Sequence, residues 1–271
     1  MILDEILSCK REEIARLRSG AHRLVALADE APRPRGFAAA IRGEESVSVI
    51  AEFKRRSPSA GAFDVYARPE EIAPAYERGG ASAISILTDS RFFGGSLRDL
   101  TAARDASGLP ILRKDFLVDP VQITEARAAG ADAVLLIVRA LEGGALEEMI
   151  GLVDESGMAA VVEVHDETEL RRAFDAGAEI IGVNARDLTT FEVDLLRGLE
   201  LAASVPSDRI AVAESGIRGR EDAARAGQAG ADAILVGGWL MRGDPERGVS
   251  DLVGQRRLPR PGGRLAAPAD S

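Results

Sequence analysis

Short apolar runs recur along this chain, separated by longer segments in which alanine, glutamate and arginine fall at helical spacing. The runs are Val47 to Ala51, Ala83 to Leu87, Ile111 to Leu112, Ala133 to Ile137, Ala159 to Val164, Ile180 to Val183, Ile210 to Ala213 and Ile234 to Val236. Runs this short and this apolar suit strands buried in a parallel sheet. Pro69 to Arg78, Pro120 to Ala129, Glu167 to Ala176 and Arg220 to Ala229 are among the helical segments between them. Eight strands alternating with helices predict a parallel sheet, and eight is the number that closes one.

A repeat supports closure. Gly80-Ala81-Ser82, Gly130-Ala131-Asp132, Gly177-Ala178-Glu179 and Gly230-Ala231-Asp232 each precede a strand, one copy for every second strand. The glycine ends a helix in a left-handed cap, and the alanine lets the chain turn tightly into the next strand. The pattern is that of an α/β fold, a (β/α)8 TIM barrel with an N-terminal helical extension. No Gly-x-Gly-x-x-Gly follows the first strand, which counts against a dinucleotide fold. Residues 1–45 form the extension: an amphipathic helix over 2–18 with Leu3, Ile6, Leu7, Ile14 and Leu17 on one stripe, a proline-containing link, and a short helix from Phe37 to Ile41. The barrel occupies residues 46–253. From Gly254 to Ser271 glycine, proline and arginine accumulate, and the expectation is a mobile tail.

Of the 271 residues 46% are hydrophobic, enough for one large core. Acidic residues outnumber basic ones 44 to 34, for a net charge of −10, so nothing recruits nucleic acid, and an anionic ligand needs locally concentrated cations. The single cysteine, Cys9, excludes an internal disulfide framework or thiolate metal site. The acidic N-terminus and the absence of a long apolar run predict a soluble, cytoplasmic protein with no membrane partner.

The chemistry lies where strands end, since barrels of this type assemble their sites at the carboxyl ends. The first strand ends in Glu52 and Lys54, two residues apart and therefore pointing the same way. The third ends at Arg113-Lys114-Asp115, the fifth at Glu163-Val164-His165, the sixth at Asn184-Ala185-Arg186 and the seventh at Glu214-Ser215-Gly216. Gly216, Gly237 and Gly238, after the last two strands, suit a phosphate held by backbone amides, with hydroxyls available from Ser57 and Ser215. Only His22 and His165 are present, in distant segments, so a multi-histidine metal centre is excluded, and His165 reads as a hydrogen-bonded rim residue. The residues thus describe metal-free acid–base chemistry by lysine and glutamate on a phosphorylated small molecule, with no cofactor.

The strings Ile50-Ala51-Glu52-Phe53-Lys54-Arg55-Arg56-Ser57-Pro58-Ser59, Leu112-Arg113-Lys114-Asp115-Phe116, Val162-Glu163-Val164-His165, Gly182-Val183-Asn184-Ala185-Arg186-Asp187-Leu188 and Ala213-Glu214-Ser215-Gly216-Ile217 closely resemble the indole-3-glycerol phosphate synthase family of tryptophan biosynthesis. The resemblance implies ring closure, decarboxylation and dehydration of 1-(2-carboxyphenylamino)-1-deoxyribulose 5-phosphate. It implies Lys114 as general acid for the condensation and Lys54 with Glu52 for the dehydration. Glu163 either faces a developing cationic nitrogen or accepts a proton, and Asn184 positions the sugar hydroxyls and Glu163. Glu214 and Ser215 match a polar wall, Arg186 a basic loop, and Gly216, Gly237 and Gly238 the phosphate cradle. Pro58, Phe93, Phe116, Leu135 and Leu188 match apolar positions around the aminobenzoate ring. Gly238 stands where some members carry serine, and Trp239 beside it is unusually bulky. The extension resembles one that lies over the barrel mouth. A monomer is expected, with other tryptophan-pathway enzymes as possible partners. The competing readings are a phosphate-binding scaffold without turnover and a phosphosugar isomerase or epimerase on the same barrel.

Overall fold

The computed structural model describes residues 2–187 and 190–260. Eight strands close a barrel in sequence order: β1 (Ser48–Phe53), β2 (Ala83–Leu87), β3 (Ile111–Lys114), β4 (Ala133–Ile137), β5 (Ala159–Val164), β6 (Ile180–Asn184), β7 (Ile210–Glu214) and β8 (Ala233–Val236). Every neighbouring pair is parallel, and β8 closes onto β1 with Ile50 opposite Leu235. Strands β1 and β3 run two residues further than their apolar runs, so Glu52 and Lys114 lie within the sheet.

Alternation along the strands sorts the core into two shells. Ile50, Leu112, Leu135, Val161, Ile180, Val212 and Leu235 fill the barrel interior, while Val49, Ile84, Val134, Val162, Ile181 and Ile234 pack outward beneath the helices. The inward set continues upward into polar side chains, which is how an apolar barrel ends in a charged mouth. The repeated glycines have the expected left-handed backbone, with φ of 93° at Gly80, 85° at Gly130, 82° at Gly177 and 82° at Gly230.

The extension does more than cover the mouth. Helix α1 (Ile2–Arg18) sits there, held by the buried Lys10, whose ammonium lies 2.9 Å from each of Glu13, Asp89 and Asp115. Helix α2 (Ala21–Glu30) descends along the outside, and α3 (Phe37–Ile41) plugs the opposite end, its Phe37 and Ile41 buried in the interior cluster beside Ile50 and Leu112. Only α1 thus stands at the mouth, while α3 closes the base, where an open barrel end exposes apolar side chains that α3 removes from water.

Residues 254–260 also depart from expectation. Instead of trailing away, they cross the base, where the Val47 amide donates to the Gln255 carbonyl (2.9 Å) and the Arg257 amide to that of Glu45 (2.9 Å). Arg257 and the buried Arg260 reach Asp232 at 2.9 and 2.6 Å, a pairing that composition does not reveal. The remainder of that stretch, 261–271, lies outside the described residues.

Candidate active site

A cavity of about 490 Å³ opens at the carboxyl ends of the strands, a size suited to a small ligand. Glu52, Lys54, Lys114, Glu163, Asn184, Arg186, Glu214 and Ser215 line it, as do Ser57, Pro58, Phe93, Phe116, Leu135, Gly216, Gly237 and Gly238. Leu188, expected on the apolar side, lies outside the described residues.

Lys114 is the hub. Its Nζ lies 3.0 Å from Glu214 Oε2, 3.7 Å from Glu163 Oε2 and 3.8 Å from Glu52 Oε2. Burial works against its ammonium, but the three carboxylates outweigh that and raise the pKa above the ordinary lysine range. Lys54 donates to Glu52 Oε1 at 2.5 Å. Burial likewise opposes ionisation of Glu52, yet Lys54 and Lys114 hold its carboxyl below the usual value. Glu214 goes the other way: burial, reinforced by the Glu163 and Glu52 carboxylates and only partly offset by Lys114, pushes it up to about 7. Among the described residues neither Glu214 oxygen has an aligned hydrogen bond, although Lys114 is close. The cavity thus sets Lys114 among carboxylates of unlike acidity, the arrangement that separates acid from base roles.

Two glycines make room for this cluster. A Cβ at Gly237 would stand 2.1 Å from Glu52 Oε1, and one at Gly182 would stand 2.3 Å from Glu214 Oε1. Gly237, expected to serve a phosphate, stands where a side chain would collide with a carboxylate. After β7, Ser215 and Gly216 both adopt left-handed backbone, with φ of 65° and 84°. Such a conformation strains a serine, and strain of this kind persists where surrounding structure enforces it. Ser215 Oγ donates to Asn184 Oδ1 at 2.8 Å, and the Arg186 amide donates to the same oxygen at 3.0 Å. That leaves the Asn184 Nδ2 group as the end able to donate to a bound molecule. Arg186 donates from its guanidinium to the Phe191 carbonyl at 3.0 Å.

Several wall residues escaped the sequence reading. Ile2, Leu3 and Ile6 of α1 form an apolar side, and Arg218 and Arg242 add cations. Phe63, in the loop after β1, has Lys54 5.7 Å and Arg242 5.2 Å from its ring centre, so it braces two cations above the acidic cluster. The helical stripe of α1 signalled a buried face but not its partner. His165 is not a rim residue: its side chain is 5% exposed and lies between Glu163 and Glu169.

A closed parallel barrel whose strand ends gather lysines and glutamates beside a glycine-rich turn places the protein in the (β/α)8 class, whose sites form at that end. The family model for indole-3-glycerol phosphate synthase matches residues 3–252. An indole-3-glycerol phosphate synthase of Parafrankia sp. (strain EAN1pec) is 51% identical over 255 residues, covering 93% of this chain and 94% of its own. One from Mycobacterium ulcerans (strain Agy99) is 50% identical over 255 residues, covering 93% of each. The chain belongs to the indole-3-glycerol phosphate synthase family, carboxy-lyases of tryptophan biosynthesis. Among solved structures, thiamine phosphate pyrophosphorylase from Pyrococcus furiosus shares the fold, with a TM-score of 0.57 at 20% identity over 76% of this chain and 93% of that one. Among the described residues no helix is long and apolar enough to cross a membrane.

Proposed function

We propose that this cavity converts 1-(2-carboxyphenylamino)-1-deoxyribulose 5-phosphate to indole-3-glycerol phosphate, carbon dioxide and water, with the following division of labour. The ring carbon bearing the carboxylate attacks the ketone carbon, and Lys114 protonates the ketone oxygen as it becomes a hydroxyl. The nitrogen lone pair stabilises the resulting cation as an iminium, which Glu163 faces. Carbon dioxide departs, and its bonding pair flows back into the ring toward that nitrogen. The hydroxyl then leaves with a proton from Lys54, and a carboxylate of the cluster takes the proton whose loss restores aromaticity.

Asn184 and Ser215 orient the sugar hydroxyls, Arg186 contributes positive charge, and Gly216, Gly237 and Gly238 receive the phosphate beside Ser57. Phe93, Phe116, Pro58 and Leu135 enclose the aromatic ring, and α1 excludes water from the electrophilic intermediate. The required proton transfers are all within the capacity of lysine and glutamate, without metal or organic cofactor. A cytoplasmic monomer accompanies this reading.

The observation that carries it is the Lys114 ammonium within 3.0 to 3.8 Å of Glu214, Glu163 and Glu52, with Lys54 hydrogen-bonded to the same Glu52. Chelator-treated protein given synthetic substrate is expected to generate indole fluorescence continuously. Tight binding of substrate without product would instead establish a binding barrel.

A further inference from the structure

Behind Glu163, and off the cavity wall, His165 sits in a chain of buried polar contacts that the reaction above does not use. Its Nδ1 is 3.0 Å from Glu169 Oε2, and the same oxygen accepts the His165 backbone amide at 2.8 Å. Glu169 Oε1 takes two contacts from the Arg139 guanidinium, each of 2.8 Å. Glu169 lies in the first turn of the helix Glu167–Asp175, where Asp166 caps its amide at 2.9 Å. On the other side, His165 Nε2 lies 3.4 Å from Glu163 Oε1 without an aligned hydrogen bond, and it has no hydrogen-bond partner among the described residues.

The tautomer follows from these partners. Burial opposes ionisation of Glu169, but His165 and Arg139 outweigh it and hold its carboxyl below the usual range, so it is an anion that accepts the Nδ1 hydrogen. The second ring nitrogen then meets a carboxyl oxygen in a nearly dry environment. Two lone pairs facing each other there repel, whereas a hydrogen between them satisfies both atoms.

We propose that His165, braced by Glu169 and Arg139, is a positioning residue that shares one proton with Glu163 and so holds the catalytic carboxyl in orientation. Glu163 is thereby gripped at both oxygens, Oε1 by the imidazole and Oε2 by Lys114 at 3.7 Å. The charged groups facing the pair are Glu169 from the helix after β5, Arg139 from the turn after β4, Lys114 from β3, Glu214 from β7 and Glu52 from β1. The next basic side chain, Arg172, is occupied by the carbonyls of Val138 and Leu141. A proton moving from Nε2 to Oε1 leaves a neutral imidazole and a carboxylic acid, so the pair exchanges the proton without net charge.

This inference rests on the reading of Glu163 as the carboxyl that faces the iminium nitrogen, and its test separates the two. Nitrogen-15 shifts of the imidazoles in wild-type protein are assigned by His22→Gln, since the chain has 2 histidines and His22 is exposed. A hydrogen-bonded or protonated Nε2 on His165 at the pH of maximal turnover is expected; a bare lone pair there overturns the proposal whether or not the protein makes an indole product.

The variant His165→Asn keeps a donor for Glu169 but loses the second ring nitrogen. Its kcat is expected to fall by about tenfold to a hundredfold, with KM within about twofold, because His165 does not touch substrate. His165→Gln, whose amide reaches toward Glu163, is expected to recover most of kcat while losing one ionisation from the pH–rate profile. If His165→Asn keeps wild-type kcat and pH profile and loses only thermal stability, the residue serves packing and the proposal fails.

Discussion

The two ends of the barrel use buried carboxylates in opposite ways. At the base, Asp132 accepts the Ile111 amide at 2.7 Å, the Arg35 amide at 2.6 Å and the Arg104 guanidinium at 2.5 Å. Asp232, one barrel half away, accepts the Ala211 amide at 2.8 Å and is paired with Arg257 at 2.9 Å and Arg260 at 2.6 Å. Both come from the Gly-Ala-Asp repeat, and both tie the start of the preceding strand to an arginine. Arginine does not lose its proton, and the strand amides are held in the ladder, so these pairings are fixed. At the mouth, three glutamates crowd the ammonium of Lys114, Lys54 pairs with Glu52 alone, and Glu214 finds no aligned donor among the described residues. Saturated pairing builds structure, whereas shared and incomplete pairing leaves protons free to transfer.

The strongest break in that comparison is Lys114→Ala. Loss of a positioned general acid is expected to cost about 10²–10⁴ in kcat of the folded protein. Fluorescence-monitored turnover and a thermal melt on the same sample measure it, and full activity in that variant would remove the proposed acid.

Asp232→Ala is the mirror experiment. It strands the buried guanidinium of Arg260 and is expected to destabilise the fold by about 3 kcal/mol or more in urea titrations, with kcat of the folded protein unchanged. An equal loss of activity would mean that base and mouth are coupled.

The smallest effect is the sharpest. Because Glu214 is raised from 4.5 to about 7, the unfolded chain gives up this proton first as pH rises. Its contribution therefore favours folding below pH 4.5 and is lost between 4.5 and about 7, at a slope on the order of 1 kcal/mol per pH unit. Asp115, under the α1 latch, behaves oppositely. Burial opposes its ionisation, but Arg113 and Lys10 outweigh this and hold it at about 2, against an ordinary 3.8. It stabilises above 3.8 and loses that contribution as pH falls toward 2. Urea melts across this range should show Glu214→Gln flattening the slope above pH 4.5 while leaving the acid limb alone. An unaltered slope would place the Glu214 proton elsewhere.

Much of the site was legible in the chain because strand parity is a local property. Glu52 and Lys54 had to share a direction once their apolar run was read as a strand. The left-handed glycines of the repeat were equally local, since a helix followed at once by a strand needs a turn that few other residues make. The clearance at Gly237 and Gly182 was not legible, because the atoms that would collide with a side chain belong to Glu52 and Glu214 on other strands.

What the amino-acid sequence determined by itself is periodic: where strands and helices run, which side chains point inward, and which polar groups stand at strand ends. Only the closed tertiary structure decided that Lys114 meets three glutamates, that α1 and α3 cap opposite ends, that residues 254–260 brace the base and that His165 is buried behind Glu163. The reason is range. Alternation is set by a few neighbouring residues, whereas these meetings join segments far apart in the chain and depend on barrel register, which no single segment contains.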